Sequence, residues 1–146
     1  MHADFEIRAM IAADYPDVLA LWESSAGIGL SESDTAEGVA AFLERNPGMS
    51  AVARARDALV GAVLCGYDGR RGYLHHLAVV QTHRRSGVAR ALLGRCFGHL
   101  AMLGIPRCNI FLFTDNRDGA AFWRNVGFAL RDDLRVFQSP VPSTRA

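Results

Sequence analysis

One stretch of the 146-residue chain decides its fold: Leu77-Ala-Val-Val-Gln-Thr-His-Arg-Arg-Ser-Gly-Val-Ala-Arg-Ala-Leu-Leu93. Its pattern predicts a strand, a short polar turn that ends at a glycine, and a helix. Such a turn aims several backbone N–H groups at one point, beside the unpaired donors and positive dipole end of the helix, which favours a bound phosphate. Gly87 and Ala89 matter because a larger side chain at either position would keep a ligand away from the backbone.

The same stretch also fits an ordinary strand-turn-helix unit in which Ser86 caps the helix. It is not a Walker loop, because no Gly-Lys-Ser/Thr follows the turn, and it lacks the triple-glycine spacing of a dinucleotide site. These residues alone therefore leave a phosphate site and a plain turn equally open.

The segments outside this stretch predict a mixed α/β domain. Alternating or short apolar runs predict six strands, at residues 5–10, 50–54, 59–67, 72–80, 108–114 and 128–138. Helical spacing of apolar residues predicts four helices. Three of them lie at residues 14–24, 87–103 and 119–125. The other begins at a cap on Ser33 or Asp34, with Glu37 in a capping box, and ends at Asn46. We assign residues 1–138 to a single domain and residues 139–146 to a loose C-terminal tail.

Composition and charge exclude several classes of protein. Hydrophobic residues make up 50% of the chain and charged residues 21%, which is too apolar for a disordered segment. The net charge of +1 gives no overall field that would hold a nucleic acid or an anionic membrane. No run of about 18 apolar residues is present, and the charged N-terminal segment does not resemble a signal peptide, so a cytoplasmic location is expected.

The cysteines and the neighbouring histidines do not suggest a metal site. Cys65, Cys96 and Cys108 lie in apolar stretches without the paired spacing of a zinc site or of a secreted disulfide framework, so we expect reduced core thiols. The histidines within residues 75–83 lack a cysteine or carboxylate that would complete a ligand set. No bound metal is expected.

Two signatures resemble the GNAT superfamily of acyl-CoA-dependent N-acetyltransferases. Arg84-Arg-Ser-Gly87-Val-Ala89 is similar to the family motif R/Q-x-x-G-x-G/A and follows a Leu77-Ala-Val79 strand, where the family has it. Asn116 ahead of Ala120-Ala-Phe-Trp-Arg-Asn-Val-Gly-Phe128 resembles a second signature, an Asn before a short helix that ends in an aromatic pair and Gly-Phe. The predicted element order agrees with that fold, and residues 65–72 resemble a bacterial branch of acetyltransferases.

The resemblance implies a GNAT-like α/β fold with a mixed, mostly antiparallel sheet, about four flanking helices and a splay between the fourth and fifth strands. Acetyl-CoA is the implied acetyl donor. Backbone amides of residues 85–90 would hold its pyrophosphate, and its pantetheine arm would pair with the backbone of residues 77–79 like an added strand. The implied cofactor-binding residues are Leu77, Ala78, Val79, Arg84, Arg85, Ser86, Gly87, Val88, Ala89, Arg90, Asn116, Phe122 and Trp123.

The implied reaction is direct attack of a primary amine on the thioester of acetyl-CoA in a ternary complex, without a covalent enzyme intermediate. The amine must lose a proton, and His75 and Tyr73 stand where other members carry catalytic histidine or glutamate, with His75 as the candidate base. Strand alternation places both residues on one face with Leu77 and Val79, and His76 on the other. A partly buried structural histidine is the alternative role for His75.

Trp123 departs from the family pattern, because many members have a tyrosine there that protonates the departing thiolate. Loss of a general acid slows a reaction by about 10² to 10⁴, so an enzyme is still predicted, with water or Tyr73 as the proton source. A coenzyme A binding or sensing domain without turnover is the alternative. A small nucleotide-binding module is a third, weaker interpretation.

The sequence leaves the amine acceptor open between a small metabolite, a lysine and a protein N-terminus. The resemblance implies that the first two helices and their connection, about residues 22–35, shape the acceptor site. That connection carries Glu23, Glu32 and Asp34 and no Lys or Arg, which favours a cationic amine. No nucleic-acid or membrane partner is expected, and an exposed last strand would allow a homodimer.

Overall fold

The computed structural model describes residues 4–143, so the extreme ends of the predicted N-terminal segment and C-terminal tail lie outside the described residues. Within this range the chain forms five strands, which are β1 (Glu6–Ala9), β2 (Ala51–Ala55), β3 (Ala58–Tyr67), β4 (Gly72–Val79) and β5 (Cys108–Ile110). It also forms four α-helices, which are α1 (Tyr15–Glu23), α2 (Ala36–Arg45), α3 (Val88–Met102) and α4 (Arg117–Asn125). None of the helices in residues 4–143 has the length and apolar character that a bilayer crossing requires.

The strands form one sheet in the order β1-β2-β3-β4-β5, in which β1 to β4 are antiparallel and β4 and β5 are parallel. Leu92 and Cys96 of α3 are buried against one face of the sheet. Val18 and Trp22 of α1, with Val39 of α2, are buried against the other face. The predicted mixed, mostly antiparallel α/β fold with four helices is therefore confirmed.

Strands β4 and β5 pair over only part of their length. The parallel register joins Gly72 to Cys108 and ends where Leu74 meets Ile110, while β4 continues to Val79. On its other side, β4 stays paired with β3 up to Val79. The edge of residues 75–79 that faces away from β3 is therefore open within the described chain, as the predicted splay requires.

A β-bulge interrupts β4 in front of this open edge. Leu64 of β3 pairs with His75 and Ala62 pairs with Ala78, so that two residues of β4 lie opposite one residue of β3. His76, one of those two, has a φ of 55°, in the left-handed region. The extra residue reverses the alternation of side chains beyond it.

The predicted arrangement of β4 side chains is wrong for this reason. His75 and His76 lie on the same face of the sheet, where His75 contacts Phe42 of α2 and His76 contacts Trp22 of α1. Leu77 and Val79 pack against the opposite face, with the core beneath α3. Tyr73 and His75 therefore share a face with His76 and not with Leu77 and Val79.

Two helix ends differ from the prediction. The cap of α2 is Thr35, whose hydroxyl accepts a hydrogen bond from the Gly38 N–H at 3.0 Å, so the predicted cap at Ser33 or Asp34 is wrong. Those two residues lie in a preceding 3-10 turn that Ser31 caps. Helix α4 begins at Arg117 rather than at Gly119, because the Asn116 side chain caps it by accepting from the Gly119 N–H at 2.8 Å.

The predicted strand at residues 128–138 is absent from the described chain, and β5 ends at Ile110 instead of Thr114. Leu130, Leu134, Val136 and Phe137 are all exposed, with Phe137 at 92%. Strand preference reflects packing on a pleated, half-buried surface, and within residues 4–143 no strand pairs with this segment. Pairing across a homodimer, which an exposed last strand would allow, stays a prediction.

The three cysteines are free thiols, as expected from the sequence. Cys65 and Cys96 are fully buried, and Cys108 is half-buried. Burial, with a smaller contribution from Cys65, raises the pKa of the Cys108 thiol to about 12. The thiol form is therefore strongly favoured at neutral pH.

Asp14 anchors β1 and β2 to the start of α1. Its buried carboxylate accepts hydrogen bonds from both terminal nitrogens of Arg8, at 2.8 and 2.6 Å, from Arg54 at 3.2 Å and from the Ile11 N–H at 2.9 Å. Burial by itself would raise the pKa of Asp14, but these hydrogen bonds outweigh burial and lower it to about 2. The carboxylate thus favours the folded state whenever it is ionised.

We expect Asp14→Asn to lower the free energy of unfolding at pH 7 by about 2 kcal/mol, because it leaves two arginines without their shared charge. The folded-state pKa lies below the unfolded value, so this contribution is complete above about pH 4 and is lost as the pH falls toward about 2. Urea unfolding of both proteins at pH 7 and pH 3 measures the difference. Asp17→Asn is the matched control, since Asp17 bonds the same Arg54 from an exposed position. Equal losses in the two variants would contradict the assignment.

Candidate active site

The turn between β4 and α3 leaves the first helical N–H groups uncapped. The N-cap of α3 is Gly87, with a φ of 90°, and no side chain of the described residues caps the helix. Ser86 instead donates its hydroxyl hydrogen to the His83 carbonyl, so the alternative in which Ser86 caps the helix is wrong. Arg85 also has a positive φ, of 64°. Consecutive residues with alternating backbone handedness turn their N–H groups into one concavity, which is a common anion site.

The space in front of this turn is open. Apart from Gly87 and its two chain neighbours, no residue of the described chain has an atom within 4 Å of a Cβ built at this position. Arg84, Arg85 and Arg90 are exposed around the turn. Arg84 also donates from Nε to the Val79 carbonyl at 3.3 Å, which holds its guanidinium beside the end of the open β4 edge. Anion-binding groups and an unpaired sheet edge are therefore adjacent.

Four rings lie where β4 and β5 separate. Tyr73, His75 and Phe111 form a triangle with ring centroids 6.1 to 6.3 Å apart, and Phe42 of α2 meets His75 edge-on at 5.9 Å. Burial, followed by the neighbouring His76, lowers the pKa of His75, while Asp34 opposes this effect. His75 is therefore neutral at neutral pH and able to accept a proton.

His76 is held from three directions on the same face of the sheet. Its Nε2 lies 3.0 Å from Oδ1 of Asp34, its ring meets Trp22 edge-on at a centroid distance of 4.9 Å, and its carbonyl accepts from the Trp22 indole N–H at 3.2 Å. Asp34 is 8% exposed and also accepts from the Ser31 N–H at 2.9 Å. The pair joins β4 to the start of α2.

The connection between α1 and α2 lies across the region where β4 and β5 separate. A Cβ atom on Gly27 would lie 2.6 Å from Nδ2 of Asn116, and one on Gly29 would lie 2.8 Å from the ring of Phe113. Because Gly27 also has a φ of 84°, only glycine fits there without strain. The connection therefore packs against the β5 side at these two glycines and against the β4 side through Asp34.

The predicted acidic cluster of this connection is only partly available to a substrate. Glu23 and Glu32 are exposed, but Asp34 is buried and occupied by His76 and Ser31. Phe122 and Trp123 of α4 pack against the core on the α3 side, where Trp123 also meets Phe128 edge-on at 4.8 Å.

The structure brings together most of the residues predicted from the sequence, and it adds others. The turn at residues 84–90, the edge at 77–79 and the rings of Tyr73 and His75 surround the splay. The sequence prediction missed His76 and Phe111 as members of the site, and it did not pair Asp34 with His76. Two adjacent histidines in an otherwise alternating strand were a signal of the bulge.

Comparisons with known proteins agree with this geometry. The profile of the acetyltransferase (GNAT) family matches residues 15–128. An acetyltransferase of Yersinia enterocolitica, YE1169, is 30% identical over 131 residues, which cover 90% of this chain and 92% of the relative. The fold is similar to that of a PaiA N-acetyltransferase from Thermoplasma acidophilum solved with coenzyme A, at a TM-score of 0.79 and 19% identity over 89% of this chain and 92% of that one. It is also similar to an aminoglycoside acetyltransferase from an uncultured soil sample solved with sisomicin, at a TM-score of 0.70 and 16% identity over 95% of this chain and 97% of that one.

Proposed function

Because this chain belongs to the acetyltransferase (GNAT) family, we propose that it transfers an acetyl group from acetyl-CoA to a primary amine within a ternary complex. The observation that supports this most is the open β4 edge, which ends beside an uncapped helix N-terminus with a left-handed glycine. Such an edge accepts an amide-bearing chain, and such a terminus accepts a diphosphate. Pantetheine and pyrophosphate are joined in this order in coenzyme A.

The backbone of residues 77–79 binds the pantetheine arm in this proposal, and the amides of residues 85–90 bind the pyrophosphate. The turn fits this role because Gly87 carries no side chain into the open space in front of the amides. Arg84, Arg85 and Arg90 are exposed at the same place and supply positive charge for the phosphates. Asn116 contacts the thioester end, and Phe122 and Trp123 provide apolar surface to the arm.

His75 takes the proton of the attacking amine. A lysine-type amine has a pKa of about 10.4 and is mostly protonated at neutral pH, so removal of its proton assists the attack. Acetyl-CoA supplies a thioester that the neutral amine attacks directly. Tyr73, which lies parallel to the His75 ring at 6.3 Å, or a water molecule returns a proton to the departing thiolate, since the indole of Trp123 cannot.

Calorimetry and a thiol assay test the proposal together. We expect heat on titration of acetyl-CoA into the folded protein at neutral pH, and release of free thiol with at least one member of a panel of primary amines. The absence of any binding heat would overturn the proposal. Binding without thiol release on any amine would favour the sensing domain instead, and competition by ATP as strong as that by coenzyme A would favour the nucleotide-binding module.

The acceptor is a cationic small-molecule amine in this proposal. Exposed Glu23 and Glu32 flank the connection that spans the splay, and an aminoglycoside acetyltransferase of similar fold was solved with sisomicin. Opposite charge near a site raises the local concentration of a cationic substrate. The carboxylate of Asp34 is buried and hydrogen-bonded to His76 and Ser31, so it does not contact the amine directly.

We expect Glu23→Gln combined with Glu32→Gln to raise the KM of a polyamine by about two- to fivefold at low salt, because exposed charges contribute little individually. The effect should shrink as salt screens the charges, and kcat should not change. Steady-state rates with a polyamine and a matched monoamine measure this, with Glu44→Gln on α2 as the control. An equal KM change for both amines would contradict charge attraction.

A further inference from the structure

We propose that His76 and Asp34 form a positioning pair that holds the β4 bulge in the conformation needed to bind acetyl-CoA. The inference rests on the proposed function, because it takes the edge of residues 77–79 as the site of the pantetheine arm. Neither residue has a role in the transfer step described above.

The backbone of His76 is in a conformation that its own side chain disfavours. A φ of 55° places it in the left-handed region, which glycine adopts readily and which only a few per cent of other residues adopt, histidine, asparagine and aspartate more often than the rest. A histidine stays in this region only when the surrounding contacts impose it. The contacts of His76 should therefore be the cause of the bulge.

Three contacts impose this conformation. The indole N–H of Trp22, a residue that is 1% exposed, donates to the His76 carbonyl at 3.2 Å. The Trp22 ring meets the imidazole edge-on, and Oδ1 of Asp34 lies 3.0 Å from Nε2 on the other side. Trp22 thus holds both the backbone and the ring of His76, and Asp34 holds the ring at Nε2.

Asp34 is itself a fixed anchor. Its second oxygen, Oδ2, accepts from the Ser31 N–H at 2.9 Å, and its backbone carbonyl accepts from the Tyr15 hydroxyl at 2.7 Å. The carboxylate cannot move without breaking the cap of the 3-10 turn before α2. The pair therefore ties the bulge to both α1 and α2.

The bulge determines which backbone groups reach the open edge. In a strand, neighbouring residues point their N–H and C=O groups to opposite edges, so one extra residue exchanges the two sets beyond it. With the bulge, Ala78 pairs with Ala62 of β3. The groups that residues 77–79 present to the splay thus depend on His76 keeping its left-handed backbone.

Three substitutions of His76 separate the backbone effect from the side-chain effect. His76→Gln keeps an N–H donor that reaches Asp34 and loses the tolerance of positive φ. His76→Gly keeps the tolerance and loses the donor, and His76→Ala loses both. We expect the Kd of acetyl-CoA to rise by about threefold to tenfold in the Gln and Gly variants, each of which loses one of the two features, and by more than about tenfold in the Ala variant.

Calorimetry with two ligands provides the decisive readout. The variants should bind adenosine 3′-phosphate 5′-diphosphate, which keeps the pyrophosphate and lacks the pantetheine arm, with the Kd of the unchanged protein, because residues 85–90 are intact. Asp34→Asn should weaken acetyl-CoA binding by about threefold. This variant tests the same pair if His76→Ala does not fold. His99→Ala, in the last turn of α3, is the control.

Equal weakening of both ligands, or an unchanged acetyl-CoA Kd in folded His76→Ala and Asp34→Asn proteins, would overturn the positioning role. Failure of the unchanged protein to bind acetyl-CoA at all would instead contradict the proposed function.

Discussion

Replacement of His75 by alanine is expected to lower kcat/KM by about 10² to 10⁴, the range for loss of a general base. His75 is the residue of the splay that combines partial burial, a lowered pKa and direct contact with the aromatic side chains at the point where β4 and β5 separate. Alanine at this position leaves the backbone of the strand unchanged. Binding of acetyl-CoA should therefore be preserved while turnover becomes slower.

The pH dependence of kcat/KM tests whether the imidazole of His75 is the base. Burial lowers the pKa of His75 below its ordinary value, so its protonation should produce a fall in kcat/KM on the acid side, below about pH 6.5. His75→Ala should remove this acid limb and leave the limb at high pH that belongs to the amine. Tyr73→Phe is the comparison for the acid limb alone: it should keep that limb, because it keeps His75 and removes only the phenol that can protonate the thiolate. A persistent acid limb in His75→Ala would transfer the role to water or Tyr73.

Most of the fold could be predicted from local patterns. The central hairpins have residues with strong turn preference between alternating runs, and Asp68 accepts hydrogen bonds from the Arg70 and Arg71 N–H groups at 2.8 Å, as a tight turn requires. Helix α3 buries the apolar stripe that its sequence shows, including Leu92 and Cys96. These elements are determined by residues close to one another in the chain.

The features that could not be predicted depend on contacts between distant residues. The bulge at His76 is held by Trp22 and Asp34, which are separated from it by 54 and 42 positions. Alternation alone therefore placed His76 on the wrong face. The pairing of Asp34 with His76 was missed for the same reason, since the sequence context of Asp34 is typical of a helix cap.

The segment at residues 128–138 was predicted to be a strand, and the described chain has no strand there. Its apolar residues have the spacing of a strand, but a strand also needs a neighbour that supplies hydrogen bonds. In the described chain, β5 pairs with β4 over three positions and residues 129–138 remain exposed. The sequence pattern of a segment indicates its preference for the strand conformation. It does not indicate whether the fold offers a neighbouring strand with free hydrogen-bonding groups.

Gly87→Val is expected to weaken binding of coenzyme A by about 100-fold, which is about 2.8 kcal/mol. Gly87 has a φ of 90°, which a β-branched residue does not adopt without strain, so the turn must rearrange. A hydrogen bond to a charged group contributes about 1.5 to 3 kcal/mol, so the loss of one or two amide contacts to pyrophosphate accounts for the expected effect.

A comparison of two ligands assigns this effect to the phosphates. Pantetheine lacks the pyrophosphate, so Gly87→Val should leave its Kd unchanged while the Kd of coenzyme A rises. Gly94→Ala is the matched control, because Gly94 lies within α3 and a Cβ there also has no described atom within 4 Å, yet its backbone is helical. Calorimetry on the unchanged protein and the two variants, with each ligand in turn, measures both effects. Since the side-chain atoms added by Gly87→Val face open space, a folded variant that binds coenzyme A with the original Kd would show that the phosphates lie elsewhere.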